Sequence, residues 1–119
     1  MDPVQRVLDP VQGAEELEEA FRLPRALIFK HSTACGGSHA AAREVARFLA
    51  AHPGAPVFVV HVIEQRPLSN AVAERTGIRH ASPQVILLED GRPVWSATHF
   101  AITTEALAER FAPSEAAAR

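Results

Sequence analysis

The 119-residue chain has a single cysteine, Cys35, so no disulfide can form within it, which suits a reducing compartment and directs attention to the reactivity of the thiol. Basic stripes are missing too: the formal net charge is −2 and the six histidines are scattered, so the electrostatic footprint of a nucleic-acid binder is absent and no nucleic-acid partner is expected. No apolar run reaches the roughly 20 residues of a membrane span, and the acidic start "MDPVQRVLDPVQGAEELEEAF" lacks the charge and apolar centre of a signal peptide. A cytoplasmic protein without a membrane partner is therefore expected. A C-x5-R phosphatase loop is excluded, because the arginine position is held by Ala41. The sequence shows no internal repeat or linker, and a second domain is not expected. With 47 % hydrophobic residues the chain suits one domain over residues 1–119, with a core from about 15 to 112 and a frayed tail over 113–119.

What is present is an alternation of helical and strand patterns. "GAEELEEAFRL" reads as an amphipathic helix with acidic residues in its first turn, ended by Pro24. "RALIFKH" is a continuous apolar run, the pattern of a strand buried on both faces. After Cys35, "GGSHAAAREVARFLAAH" sets Ala41, Val45, Phe48 and Leu49 on one helical stripe. "PVFVVHVI" is a second buried strand, and "PLSNAVAERTG" a helix with proline at its start and glycine at its end. "PQVILLE" and "RPVWSATHF" flank "DG", a hairpin signal. A last helix starts at Thr103 as N-cap, with Ile102 and Leu107 as a hydrophobic staple. Trp95, on the hairpin, reads as a core residue. This order predicts an α/β domain: a four-stranded mixed sheet with helices on both faces, the outline of the thioredoxin-like fold.

Cys35 falls between the first buried strand and its helix. A free thiol titrates near 8.5, whereas at a helix N-terminus unpaired amides and the positive end of the dipole bring values down to about 3.5–7.5. Cys35 is thus the candidate nucleophile. Gly36 and Gly37 each cost on the order of 1 kcal/mol against alanine in a helix, which bare, approachable backbone beside the sulfur would offset; alternatively the helix starts at Ser38 and the glycines are loop. Ser38 stands where a C-x-x-C protein has its second cysteine. Its hydroxyl can donate to a thiolate but cannot attack a mixed disulfide, so exchange must be monothiol. His31 and His39 flank the cysteine at four residues to either side, but His31 ends a strand and no carboxylate or further cysteine completes a shell, so no metal is expected. His39, one turn after Cys35, can support the thiolate when protonated or stand as a solvated surface residue. Lys30 reads as a cationic neighbour, a contact for an anionic thiol, or a solubilising charge at the strand end.

"IFKHSTACGGS" followed by an alanine-rich helix, and later "SPQVILLEDGRPVW", resembles the monothiol thioredoxin-like proteins associated with bacillithiol, the bacilliredoxin-like family of the "KHST-x-C-x-x-S" type. The resemblance runs from about Leu17 to Phe111 and implies a thioredoxin-like fold, no permanent cofactor, and removal of bacillithiol, as co-substrate thiol, from mixed disulfides on S-thiolated proteins; apart from the resemblance, a monomer is expected. It makes Cys35 the nucleophile and Ser38 the missing resolver. It makes Pro83 a cis-proline and Ser82, before it, the residue whose backbone pairs with the bound thiol partner. Members commonly carry proline where this chain has Gly36 and a larger apolar residue where it has Gly37, so a more flexible site is expected here. Two other functions fit a lone cysteine at this position: iron–sulfur cluster binding in the manner of monothiol glutaredoxins, from which "CGGS" differs by one residue, and a non-catalytic interaction module with an inert cysteine.

Overall fold

β1, Arg25–His31, is the strand that the "RALIFKH" run produces, and every residue from Ala26 to His31 is buried. A strand buried on both faces needs neighbours on both edges and helices on both sides. In the computed structural model, which describes residues 2–34 and 36–111, β1 pairs in parallel with β2 (Val57–His61) and antiparallel with β3 (Gln84–Glu89). β4 (Arg92–Thr98) completes a four-stranded sheet in the order β2-β1-β3-β4. The β3–β4 hairpin turns on Asp90 and Gly91, both at positive φ (51° and 79°), as the "DG" signal requires. Pro93 sits on the edge strand beside a bulge at Leu87/Leu88, where its missing N–H is tolerated.

Among the described residues, five α-helices cover the sheet: α1 (Pro3–Leu8), α2 (Ala14–Arg22), α3 (Gly36–Ala51), α4 (Arg66–Thr76) and α5 (Thr104–Phe111). The period of two along β1 divides the core. Leu27 and Phe29 face Val45, Phe48 and Leu49 of α3, with Val7 of α1 and Leu107 of α5. Ala26 and Ile28 face Leu17, Ala20 and Phe21 of α2, with Val72 of α4. Helices on both faces of a mixed sheet are what the element order predicts. Gly77, in the left-handed conformation at φ 72°, caps α4. Thr103 caps α5, its Oγ1 accepting from Ala106 N at 3.1 Å, and Ile102 and Leu107 are both buried beside it. Trp95 is partly buried against the α3-side core.

The core starts earlier than residue 15. Val7 and Val11 are buried, Val11 N donates to Val59 O at 2.8 Å, and Gln65 Nε2 donates to Val11 O at 2.7 Å, so the N-terminal segment covers the β2 edge. The tail over residues 113–119 lies outside the described residues. Among the described residues, no helix is long and apolar enough to cross a membrane.

Candidate active site

The period of two that sorts the core continues to the end of β1, sending Lys30 and His31 to opposite faces. His31 follows Phe29, its ring 5.4 Å away, onto the α3 side. Lys30 goes to the α4 side, where its Nζ donates to His80 Nδ1 at 3.0 Å. The β1–β3 register pairs Lys30 with Gln84, so one step on His31 comes level with Pro83. The strand that leads toward Cys35 thus ends beside the start of β3.

Cys35 itself lies outside the described residues. Its surroundings in the chain are tightly organised. Ser38, in the first turn of α3, is fully buried; its Oγ accepts from Ser32 N at 2.9 Å and stands 2.7 Å from His31 Nδ1. Ser32 Oγ accepts from Ala34 N at 3.3 Å. His39, exposed on α3, reaches back and donates from Nε2 to Thr33 O at 3.0 Å. Three side chains therefore pin residues 32–34. α3 includes both Gly36 and Gly37, so the reading that starts the helix at Ser38 does not hold. Gly36 is exposed, and a Cβ added there would meet nothing within 4 Å, so its bareness answers to no packing constraint.

His31 is enclosed by imidazoles. Its ring lies 5.7 Å from His39 and 5.6 Å from His61, both edge-on. Burial pushes its pKa from 6.5 down to about 4, helped by the positive charges that His61 and His39 can carry and opposed by Glu64 and by the backbone of Ser38. It is therefore neutral at physiological pH. The Nε2 atoms of His31 and of His61 are both buried without a hydrogen-bond partner. Among the described residues, no three histidine or acidic side chains come together in a metal-binding arrangement.

Lys30 does not join this group. It is fully buried, which rules out a solubilising strand-end charge and direct contact with an anionic thiol, and burial lowers its pKa from 10.5 to about 8. Its partner His80 is exposed, lies 3.3 Å from Ser69 Oγ, and is held below its ordinary value first by burial and then by Lys30 and Arg66.

The Ser82–Pro83 peptide bond is cis. Pro83 O accepts from His99 N at 3.2 Å, and Gln84 Nε2 donates to Arg79 O at 3.0 Å, so the entry to β3 is tied from both sides. The first of these bonds draws in the short helical turn His99–Ala101, on which Phe100 stands 84 % exposed. Sequence reading did not single out His61, His80 or Phe100. The signal for His61 was available: both buried runs, "LIFKH" and "VFVVH", end in histidine, and the parallel register pairs His31 with His61.

Residues 7–107 match the family described as monothiol bacilliredoxin BrxC. Among solved structures, an oxidoreductase candidate with a thioredoxin fold is 26 % identical, with TM-score 0.79, over 89 % of this chain and 95 % of that one. A mutant thioredoxin from Halobacterium salinarum is 25 % identical, with TM-score 0.65, over 87 % of this chain and 86 % of that one. Oxidised mitochondrial thioredoxin 3 from Saccharomyces cerevisiae is 15 % identical, with TM-score 0.71, over 91 % and 95 %, a likeness of fold.

Proposed function

The chain belongs to the monothiol bacilliredoxin family, thiol redox proteins on a thioredoxin-like fold, and we propose that it removes bacillithiol from mixed disulfides on protein cysteines through Cys35. The observation that carries this reading is Ser38. The position a resolving thiol would occupy holds a buried hydroxyl already engaged by His31 and Ser32, so no second sulfur can release a disulfide formed on Cys35.

The Cys35 thiolate attacks the bacillithiol sulfur of the mixed disulfide. The protein–bacillithiol S–S bond breaks, the protein cysteine leaves as thiolate and takes a proton from water, and Cys35 carries the bacillithiol as a new mixed disulfide. A second bacillithiol thiolate attacks that sulfur, yielding bacillithiol disulfide and regenerating the Cys35 thiolate. The protein sulfur is reduced, two bacillithiols are joined by oxidation, and no resident cofactor is needed. Exposed Gly36 leaves room for an incoming thiol, and the exposed Phe100 ring, on the turn bonded to Pro83, offers apolar surface to a protein substrate.

The test is the intact mass of the reduced protein after brief exposure to bacillithiol disulfide, with glutathione disulfide in parallel and Cys35→Ser as control. One bacillithiol adduct on the wild type, absent from the variant, reversed by excess bacillithiol and slower to form with glutathione, is expected. Labelling by neither disulfide would overturn the exchange reading, and equal rates would overturn the choice of thiol.

A further inference from the structure

Lys30 is fully buried near the end of β1, and among the described residues no carboxylate pairs with it. A buried ammonium without a counter-charge is costly, and an apolar side chain of similar length would fill the same space at lower cost. What the ammonium adds is a directed hydrogen bond, which goes to His80 Nδ1 at 3.0 Å. His80 belongs to no strand or helix; it stands two residues before Ser82, in the segment that leads from α4 to the cis Ser82–Pro83 bond.

That segment has few other ties. Among the described residues, residues 80–82 make no backbone–backbone hydrogen bond, and Ser82 Oγ is buried without a partner. The hold comes from two neighbouring side chains of the sheet. The β1–β3 register sets Lys30 opposite Gln84, on one face. Gln84 Nε2 donates to Arg79 O at 3.0 Å, and Lys30 Nζ donates to the next residue, His80. Beyond the cis bond, Pro83 O accepts from His99 N at 3.2 Å.

Of these ties, the one from Lys30 depends on a proton. An ammonium only donates, so His80 has to present Nδ1 as a bare lone pair and carry its hydrogen on Nε2. A protonated His80 has no lone pair left and sets a second cation against the first. The groups that act on the ring are Lys30 from β1 and Arg66 and Ser69 from α4. Burial first, then the two cations, hold its pKa below the ordinary 6.5, so the acceptor is in place at physiological pH.

We propose that Lys30 is a positioning residue for the substrate edge: by holding His80 it sets the Ser82–Pro83 segment in place to receive the backbone of a thiolated protein, and protonation of His80 releases that segment. This rests on the reading of the chain as an exchanger acting on protein mixed disulfides, with Ser82 and Pro83 receiving the substrate chain. It gives the buried lysine of "KHST" a task in substrate binding, and it makes that binding weaken in acid.

The experiment follows reduction of a peptide carrying one S-bacillithiolated cysteine, from pH 7 downward, in wild type, Lys30→Met, His80→Ala and His80→Asn, with nitrogen-15 spectra of the His80 ring. Asparagine places an oxygen acceptor the same number of bonds from Cβ as Nδ1 and does not titrate. At pH 7 the ring is expected as the Nε2–H tautomer. In Lys30→Met and His80→Ala the peptide KM is expected to rise about fivefold, the worth of one net hydrogen bond, with kcat within about twofold of wild type. His80→Asn should keep the wild-type KM. As the spectra show His80 taking up its proton, the wild-type KM should climb toward that of His80→Ala, while that of His80→Asn does not follow. An Nδ1–H tautomer, or an unchanged KM in Lys30→Met and His80→Ala, overturns the proposal; His80 is exposed, so its variants decide the matter if Lys30→Met fails to fold. A protein that exchanges with the same KM in all variants keeps its function and loses this positioning. One that reduces no peptide and takes up no bacillithiol loses the function, and the ring spectra then decide the Lys30 bond on their own.

Discussion

Lys30 Nζ donates to His80 Nδ1 across 3.0 Å, and among the described residues no carboxylate pairs with this buried ammonium. Its pKa is about 8 in the fold against 10.5 ordinarily, so between those values the unfolded chain binds the proton more tightly. Stability then rises with pH across that window, and the full burial cost is present below pH 8. Lys30→Met keeps the apolar stem and removes the charge. The variant is expected to be more stable than wild type at pH 7, by about 1–3 kcal/mol after losing the His80 bond, with the advantage shrinking toward pH 10. Denaturant unfolding at the two pH values checks this; an equal or lower stability at pH 7 would count against an unpaired buried cation.

His31 makes the opposite end of the pH scale sensitive. Its folded pKa of about 4 lies below the ordinary 6.5, so as acid is added the unfolded chain takes up the proton first. The stability this histidine lends is fully present above pH 6.5 and is lost as the pH falls toward 4. At pH 4.5 the loss specific to His31 is expected to be about 2–3 kcal/mol. His31→Asn does not titrate there, so its urea midpoint should fall less than that of wild type between pH 7 and pH 4.5. Parallel falls in both proteins would place the acid sensitivity elsewhere.

Both buried runs, the "DG" hairpin and the capped last helix could be read in the sequence because each is a local pattern: "RALIFKH" became β1 with the same ends, and Gly77 and Thr103 cap the helices they punctuate. α1 could not be read this way. Its Asp2 cap and Pro3 are visible, but six residues with Val7 as the single buried side chain carry no periodicity, and the helix is held by packing on α3. Around the cysteine, the sequence identified residue types and left their partners open. Counting in twos from Phe29 sends His31 to the α3 face, yet that its ring meets Ser38 depends on how residues 32–34 close the turn. The burial of Lys30 was hidden for a related reason: a lysine at the end of an apolar run looks like an edge charge until the loop carrying His80 covers it.

Two glycines should respond oppositely to alanine. At Gly36 a Cβ meets open space, so Gly36→Ala is expected to stabilise by roughly 0.5–1 kcal/mol through reduced freedom of the unfolded chain. At Gly91 the backbone is at φ 79° and a Cβ would come 2.7 Å from the carbonyl oxygen of Phe21, which is main chain and cannot swing aside. Gly91→Ala is expected to destabilise by about 2 kcal/mol or more. One denaturant series on both variants decides the signs. A slower bacillithiol exchange in Gly36→Ala, despite its added stability, would show that the bare backbone serves the thiol.

α5 is tied to α3 by one carboxylate. Glu44 Oε1 accepts from Thr104 N at 2.8 Å and from Thr104 Oγ1 at 2.9 Å, and these bonds, the backbone one foremost, hold its carboxyl below the usual range. A lowered carboxyl adds stability that is present at neutral pH and lost as acid protonates it. The same negative charge lies at the positive end of α5 and satisfies one of its free amides. Glu44→Ala should therefore cost about 1–2 kcal/mol, and Glu44→Gln, which keeps an acceptor but not the charge, less. The loss should be local: amide hydrogen exchange should speed up in α5, where Leu107 closes the α3-side core, more than in β1 or β3. Glu44 is two turns beyond the Ser38 end of α3, so the thiolate midpoint of Cys35 should stay at the wild-type value. A midpoint that moved with Glu44→Ala would mean that the thiol senses the packing of the whole α3 face.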